Sequence, residues 1–367
     1  MRKKSELIDS LNAFLALLRA GLWEKEARLI NYGLSDLSEV YRLSSKQAVT
    51  GLVTAGLEHV SDVTVPEDVV LKFVGPVLRM EQRNHRMNVF ASWLTSRLRQ
   101  DGIAALLVKG QGIAQCYERP LWRAAGDIDL VLGQKDYQKA KSILAPLGKS
   151  LAPEEIRNMH YAVSINGFDV ELHGKMRFEL SKRVDRCVDS VLKLSFNGEV
   201  RVWRYCDEDL LLPAVNNDII IIFTHFLHHF FIEGVGLRQI CDWCRLLWTY
   251  KDIIDRQLLE DRLREMGLMS EWRVFAALAV EWLDMPEEAM PFYKRSYGRK
   301  AYIVLKRILK SGNFGHNNDV GYRSKKSRVL VNTITLFRRI WDFTLLFPVF
   351  PLDSPKFFVA YLVGKMR

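Results

Sequence analysis

The chain has 367 residues, long for one apolar core, so two or three packed regions are expected. Hydrophobic residues make up 49% and charged residues 26%, a globular balance that excludes a disordered or fibrous chain. A formal net charge of +10 points to anionic partners, and five cysteines, an odd number without framework spacing, exclude a disulfide-stapled secreted domain.

Residues 1–102 read as an N-terminal helical region. The basic start Met1-Arg2-Lys3-Lys4 is followed by Glu6, Asp9 and Arg19, so no secretory signal is expected. No uncharged run reaches the roughly 18 residues of a spanning helix. Leu7, Leu11, Phe14, Leu15 and Leu18 recur at helical spacing. The run from 66 to 99 reads as one or two helices kinked near Pro76.

Residues 103–206 change character and predict a small α+β core of mixed sheet and helices. Residues 103–108 are a short apolar strand, and Lys109-Gly110-Gln111-Gly112 turns into a brief helix. After a polar loop over 118–126, residues 127–132 read as a strand and 135–147 as a helix. Residues 161–165 and 168–173 are strands joined by Asn166-Gly167, a strong two-residue hairpin signal.

Residues 207–290 read as a helical, substrate-side domain. Residues 216–231 form an apolar helix bearing His225, His228 and His229, and 237–250 a helix with Arg238 and Asp242 one turn apart. Residues 291–367 read as a basic helical C-terminal region. Between 291 and 340 stand thirteen Lys or Arg and one acid, Asp319, so the basicity of the chain is local.

The segment Gly126-Asp127-Ile128-Asp129-Leu130 is the most informative. Strand residues two apart share a face, so Asp127 and Asp129 project together while Ile128 and Leu130 face the core. Paired carboxylates on an apolar strand are costly unless a cation neutralises them, and hard Mg²⁺ suits such oxygens. The plain alternative is a surface strand with its polar face in water. Glu171, on the strand 168–173, joins the pair if the two strands lie side by side. Three carboxylates on neighbouring strands can bind two metals for an in-line phosphoryl transfer. Lys109-Gly110-Gln111-Gly112, between a strand and a helix, offers free amides and close approach to phosphate.

Residues 108–132, with Glu171 and His173 downstream, resemble the DNA-polymerase-β-like nucleotidyltransferase superfamily. Within it the chain is most similar to an uncharacterised bacterial nucleotidyltransferase family marked by K-G, an aromatic-and-Arg loop, a D-I-D-L strand and a later E-L-H. Gly236-Leu237-Arg238 and Asp242 extend the similarity into the helical part. The superfamily's glycine-serine pair is replaced here by Gly110-Gln111, with Lys109 before it.

The resemblance implies an Mg²⁺-dependent transferase with one or two metal ions, and the expected lack of a signal and of a spanning run makes it cytoplasmic. It would pass NMP from an NTP such as ATP to a hydroxyl or phosphate of an unidentified acceptor, an RNA, a protein or a small molecule, and release pyrophosphate. It makes Asp127, Asp129 and Glu171 the catalytic and metal-binding residues, with Glu171 also accepting the proton of an attacking hydroxyl. Lys109, Gly110, Gln111 and Gly112 would hold the triphosphate. Arg123, and less strongly Arg119, would neutralise developing charge. His173 and Arg238 are added as substrate-side residues. The competing readings are an inactive nucleotidyltransferase fold that binds RNA or another partner, and a D-x-D glycosyltransferase using a nucleotide-sugar.

The remaining signals have plainer readings. His225 and His229 are spaced to chelate zinc, but core packing or the wall of a cleft suits them better. Cys241-x-x-Cys244 lies inside a helix and reads as core thiols. The basic C-terminal stretch reads first as a solvated face, second as a nucleic-acid track over 291–340, and third as a peripheral membrane seat with 340–352 as an interfacial helix.

Overall fold

The computed structural model describes residues 2–32, 37–232, 234–313, 344, 346–351 and 355. Four helices open the chain: α1 (Arg2–Trp23), α2 (Leu37–Lys46), α3 (Thr50–Glu58) and α4 (Glu67–Gln100). The run around Pro76 is one helix of 34 residues, not two. The proline removes a single ladder hydrogen bond, and the buried Phe73 and Val77 beside it hold the helix against its neighbours.

The middle of the chain supplies the sheet. Its elements are β1 (Ala105–Val108), α5 (Gly110–Ala114), β2 (Ile128–Leu132), α6 (Tyr137–Leu144), β3 (Lys149–Ser150), β4 (His160–Ile165), β5 (Phe168–His173), α7 (Lys182–Phe196), β6 (Val200–Tyr205) and β7 (Glu208–Pro213). Helices follow: α8 (Val215–Ile232), α9 (Leu237–Thr249), α10 (Arg256–Met266), α11 (Met269–Leu283) and α12 (Gly298–Ser311). The seven strands lie in the order β3-β4-β5-β2-β1-β7-β6, a mixed sheet, so the fold is α+β as expected.

One expectation is corrected. Residues 207–213 are not helical: β6 and β7 form an antiparallel hairpin, and β7 pairs parallel to β1 at the heart of the sheet. The boundary expected at 206/207 falls on the turn of that hairpin. Cross-strand pairing to β1 overrides the short leucine run 210–212, which carries no period of its own.

The sheet is covered on both faces. On one, Leu107, Ile128, Leu130 and Leu132 pack with Phe90, Leu94 and Leu98 of α4 and Tyr137 of α6. On the other, Val108 and Val131 join a larger core built from α1, α7, α8, α9, α11 and α12. Helices from both ends of the chain share this core, and Trp23 Nε1 donates to Leu283 O at 2.5 Å. Cys241 and Cys244 are fully buried within it, as their reading as core thiols requires. The five cysteines are free thiols.

Among the described residues, no helix is long and apolar enough to cross a membrane. The basic stretch beyond residue 313 lies outside the described residues. Of 340–352, residues 344 and 346–351 are described, and there Leu346, Val349 and Phe350 are buried in the core, Phe350 against Phe230 and Phe231, not laid out as an interfacial face.

Candidate active site

The sheet register builds the site. β2 and β5 run parallel with Asp129 beside Glu171, and β1 runs antiparallel to β2 with Val108 opposite Asp129. Asp127, one residue before β2 begins, shares the face of Asp129. Asp129 is 3% exposed, which excludes the reading of D-x-D as a solvated surface strand. One carboxylate oxygen from each of Asp127, Asp129 and Glu171 lies within 4.8 Å of the others.

Lys109 ends β1 with φ 58°, a left-handed conformation that a lysine adopts only under constraint. The turn brings its ammonium back over the sheet, where Nζ lies 2.7 Å from Asp129 Oδ1. The same nitrogen is 3.3 Å from His225 Nε2, and His229 Nε2 is 3.0 Å beyond. From β5, His173 Nε2 lies 2.9 Å from Asp129 Oδ1 and 3.4 Å from Glu171 Oε2. From β4, His160 Nε2 reaches the same Glu171 oxygen at 3.3 Å.

These contacts split the three acids. The Asp129 charge, aided by burial, raises the Asp127 carboxyl. Burial works against the ionised Asp129, but Lys109 and His173 outweigh it and hold that carboxyl below its usual range. Burial likewise opposes ionised Glu171, and hydrogen bonds from His160 and His173 bring it far below the carboxylate range. Glu171 is therefore a weak proton acceptor as it stands. Burial alone would depress His173 and Lys109, yet both are raised by the carboxylates.

The loop 119–126 forms the opposite wall. Arg123 makes a bidentate pair with Asp242 of α9, Nε to Oδ1 at 3.0 Å and Nη2 to Oδ2 at 2.7 Å. Tyr117 donates to Asp242 Oδ1 at 2.8 Å. Arg238 Nη1 donates to Ala124 O, and α4 adds Arg83 to Ala125 O and Asn84 to Arg123 O. Gly51 of α3 supports the loop from behind: a Cβ there would sit 1.9 Å from Trp122 O.

A cavity of about 290 Å³ opens between these walls. Lys109, Gly110, Arg123, Asp127, Asp129, Glu171 and Arg238 line it, so seven of the eleven residues singled out from the sequence meet in one place. His173 stands directly behind, on Asp129. Gln111 and Gly112 do not line it. The Gln111 side chain turns inward to Met87 Sδ, and Gly112 packs against Leu212. Arg119 pairs instead with Glu58 at 2.6 Å.

Sequence reasoning undervalued His225 and His229, which do line the cavity, and missed His160 and the anchoring role of Asp242. His160 was within reach: pairing outward from the Asn166-Gly167 turn puts 165 opposite 168 and so 160 opposite 173. Burial, then the charge of Lys109, pushes His225 well below the ordinary histidine range, so it is neutral.

Three oxygen donors converging on one point suit a hard divalent cation such as Mg²⁺. Carboxylates gathered at the end of a mixed sheet beside a cleft are the kind of site that phosphoryl-transfer enzymes build. The chain belongs to the uncharacterised nucleotidyltransferase family, whose model matches residues 34–284. That range runs from the approach to α2 to the end of α11 and includes every residue of the cavity. Membership gives the protein a general nucleotidyl-transfer role and a nucleotide as substrate. No curated protein and no solved structure matches the chain.

Proposed function

We propose that the protein transfers NMP from an NTP to a hydroxyl or phosphate of an acceptor, releasing pyrophosphate, with Asp127, Asp129 and Glu171 holding Mg²⁺. The observation that carries this is the register of β2 against β5, which sets Asp129 beside Glu171 with Asp127 on the same face. When bound, the metal supplies charge neutralisation at the reacting phosphate.

The chain's own residues do the rest. Lys109 balances Asp129 and presents a buried cation at the floor of the cavity, where a phosphate oxygen can take it. Gly110 leaves room for close approach beside it. Arg123 is fixed by Asp242, so its guanidinium meets an incoming anion without reorganising. Arg238 lies one turn before Asp242 on α9 and completes the basic wall. His173 orients Asp129 and Glu171 from behind. His225 and His229 form the remaining polar wall, where the acceptor group would enter. A cavity of this size encloses the reacting phosphates rather than a folded macromolecule.

The test is incubation of the protein with each labelled NTP, Mg²⁺ and cell extract, together with calorimetric titration of nucleotide. Label should pass to one acceptor class, and Asp127→Ala/Asp129→Ala should abolish both transfer and Mg²⁺-dependent binding. A wild-type protein that binds no NTP, or a double variant that behaves like it, overturns the proposal.

A further inference from the structure

Glu171 faces two ways. Toward the cavity it converges with Asp127 and Asp129. Beside it stand His160 and His173, and one donor atom from each of these three residues also lies within 4.8 Å of the others. The all-oxygen reading of the site uses neither imidazole as a ligand.

The distances are informative. His160 Nε2 and His173 Nε2 approach the same oxygen, Glu171 Oε2, at 3.3 and 3.4 Å. An N–H···O bond has its mode near about 2.9–3.0 Å, so these are hydrogen bonds at the long end of the range, and both converge on one oxygen. Donors around a tetrahedral ion at about 2.0–2.1 Å stand about 3.3 Å apart, which is the spacing of each histidine nitrogen from Glu171 Oε2. Two imidazoles and one carboxylate are also a donor set that borderline transition ions prefer, whereas Mg²⁺ favours oxygen alone.

The fold holds the set in place. His160 and His173 are paired positions on β4 and β5, so the hairpin itself fixes their separation. The rings stack at 4.8 Å with planes 23° apart. His173 Nε2 donates to Asp129 Oδ1 at 2.9 Å and gives up that proton when it takes an ion, while His160 is about a quarter exposed.

We infer that His160, His173 and Glu171 form a second metal site, distinct in chemistry from the three-carboxylate site and selective for a divalent transition ion of the Zn²⁺ or Co²⁺ class. Glu171 is common to both. The inference shares Glu171 with the proposed function but does not require nucleotidyl transfer to occur.

Co²⁺ is the probe, because its visible absorption reports nitrogen ligation and low coordination number directly. Titrated into the full-length protein, it should give one strongly absorbing bound ion that excess Mg²⁺ does not displace. His160→Ala should remove the band and weaken Co²⁺ by more than the roughly 10–100-fold lost with a mere supporting partner. Asp127→Asn should keep the band, since Asp127 is not in this donor set. Nucleotide binding with Mg²⁺, measured on His160→Ala, reports separately on the carboxylate site. Far-ultraviolet circular dichroism and a second variant, His160→Gln, guard against misfolding. A Co²⁺ spectrum unchanged in both His160 variants, or full displacement of Co²⁺ by Mg²⁺, overturns the inference.

Discussion

The protein buries charge in two places, and it does so differently. Where α9 meets the loop 119–126, Arg123 and Arg245 are each matched by a carboxylate. Arg123 is bidentate to Asp242, and Arg245 donates to Cys116 O, Leu22 O and Glu118. At the sheet end three carboxylates share Lys109 and His173, and one of them, Asp127, is forced upward by its neighbour. Matched groups fix a geometry. Unmatched groups in a cleft leave interactions to be completed by a ligand, and that imbalance marks the site.

The largest effect should come from the unmatched set. Asp129→Ala is expected to reduce nucleotidyl transfer at least about a thousandfold, roughly 4 kcal/mol, read as pyrophosphate release. Stability should separate the acids in metal-free buffer at pH 7. Asp127 has a raised native carboxyl, so the native state disfavours its charge and Asp127→Asn should raise the melting temperature. Asp129 has a lowered one, so the native state favours its charge and Asp129→Asn should lower it. Equal shifts of one sign would erase the distinction drawn here.

The matched region should fail in the other way. Asp242→Ala leaves Arg123 buried without its carboxylate and removes the acceptor of Tyr117. About 3–5 kcal/mol should be lost from urea unfolding. The double variant Arg123→Met/Asp242→Leu should recover much of that stability, because no lone charge remains, while nucleotide binding stays impaired. If stability does not recover, the pair is more than scaffold.

How much of this was legible depends on the range of the signal. The hairpin β4–β5 was plain because Asn166 and Gly167 accept φ of 53° and 80° at little cost. Once its register is fixed, Glu171 and His173 follow. The D-x-D strand was legible from alternation alone. The β6–β7 hairpin was not, because Cys206 and Asp207 make its turn with φ of 49° and 62°, without the glycine that usually announces such a turn. Pairing between Arg123 and Asp242, 119 residues apart, has no local signature at all. Gln111 misled because a glycine-flanked polar residue reads as phosphate-facing, whereas the turn at Lys109 sends it inward to Met87.

A smaller effect probes what holds the arginine loop from outside. Gly51→Ala would drive a methyl into the Trp122 carbonyl, so α3 or the loop must shift. Overpacking of this kind costs about 1–3 kcal/mol. Because Arg123 follows Trp122 directly, KM for the nucleotide should rise while the visible Co²⁺ band does not move.

The smallest effect lies between the two regions, at His225. It faces Lys109, His173, His228 and His229, and burial with the Lys109 charge keeps it neutral in the native state. In the unfolded chain it titrates near about 6.5. Below that pH the unfolded state takes up a proton that the native state refuses, so His225 drains stability as pH falls and is silent above about 7. The cost reaches about 1 kcal/mol at pH 6. His225→Gln should therefore show a shallower acid limb than wild type in urea unfolding between pH 7 and pH 5, with the two curves meeting in slope at pH 8. A raised histidine would give the opposite sign, with stability lost as pH climbs. Parallel curves would mean that the imidazole is solvated, and that the wall between matched and unmatched charge is wetter than its packing against Phe178 and His229 implies.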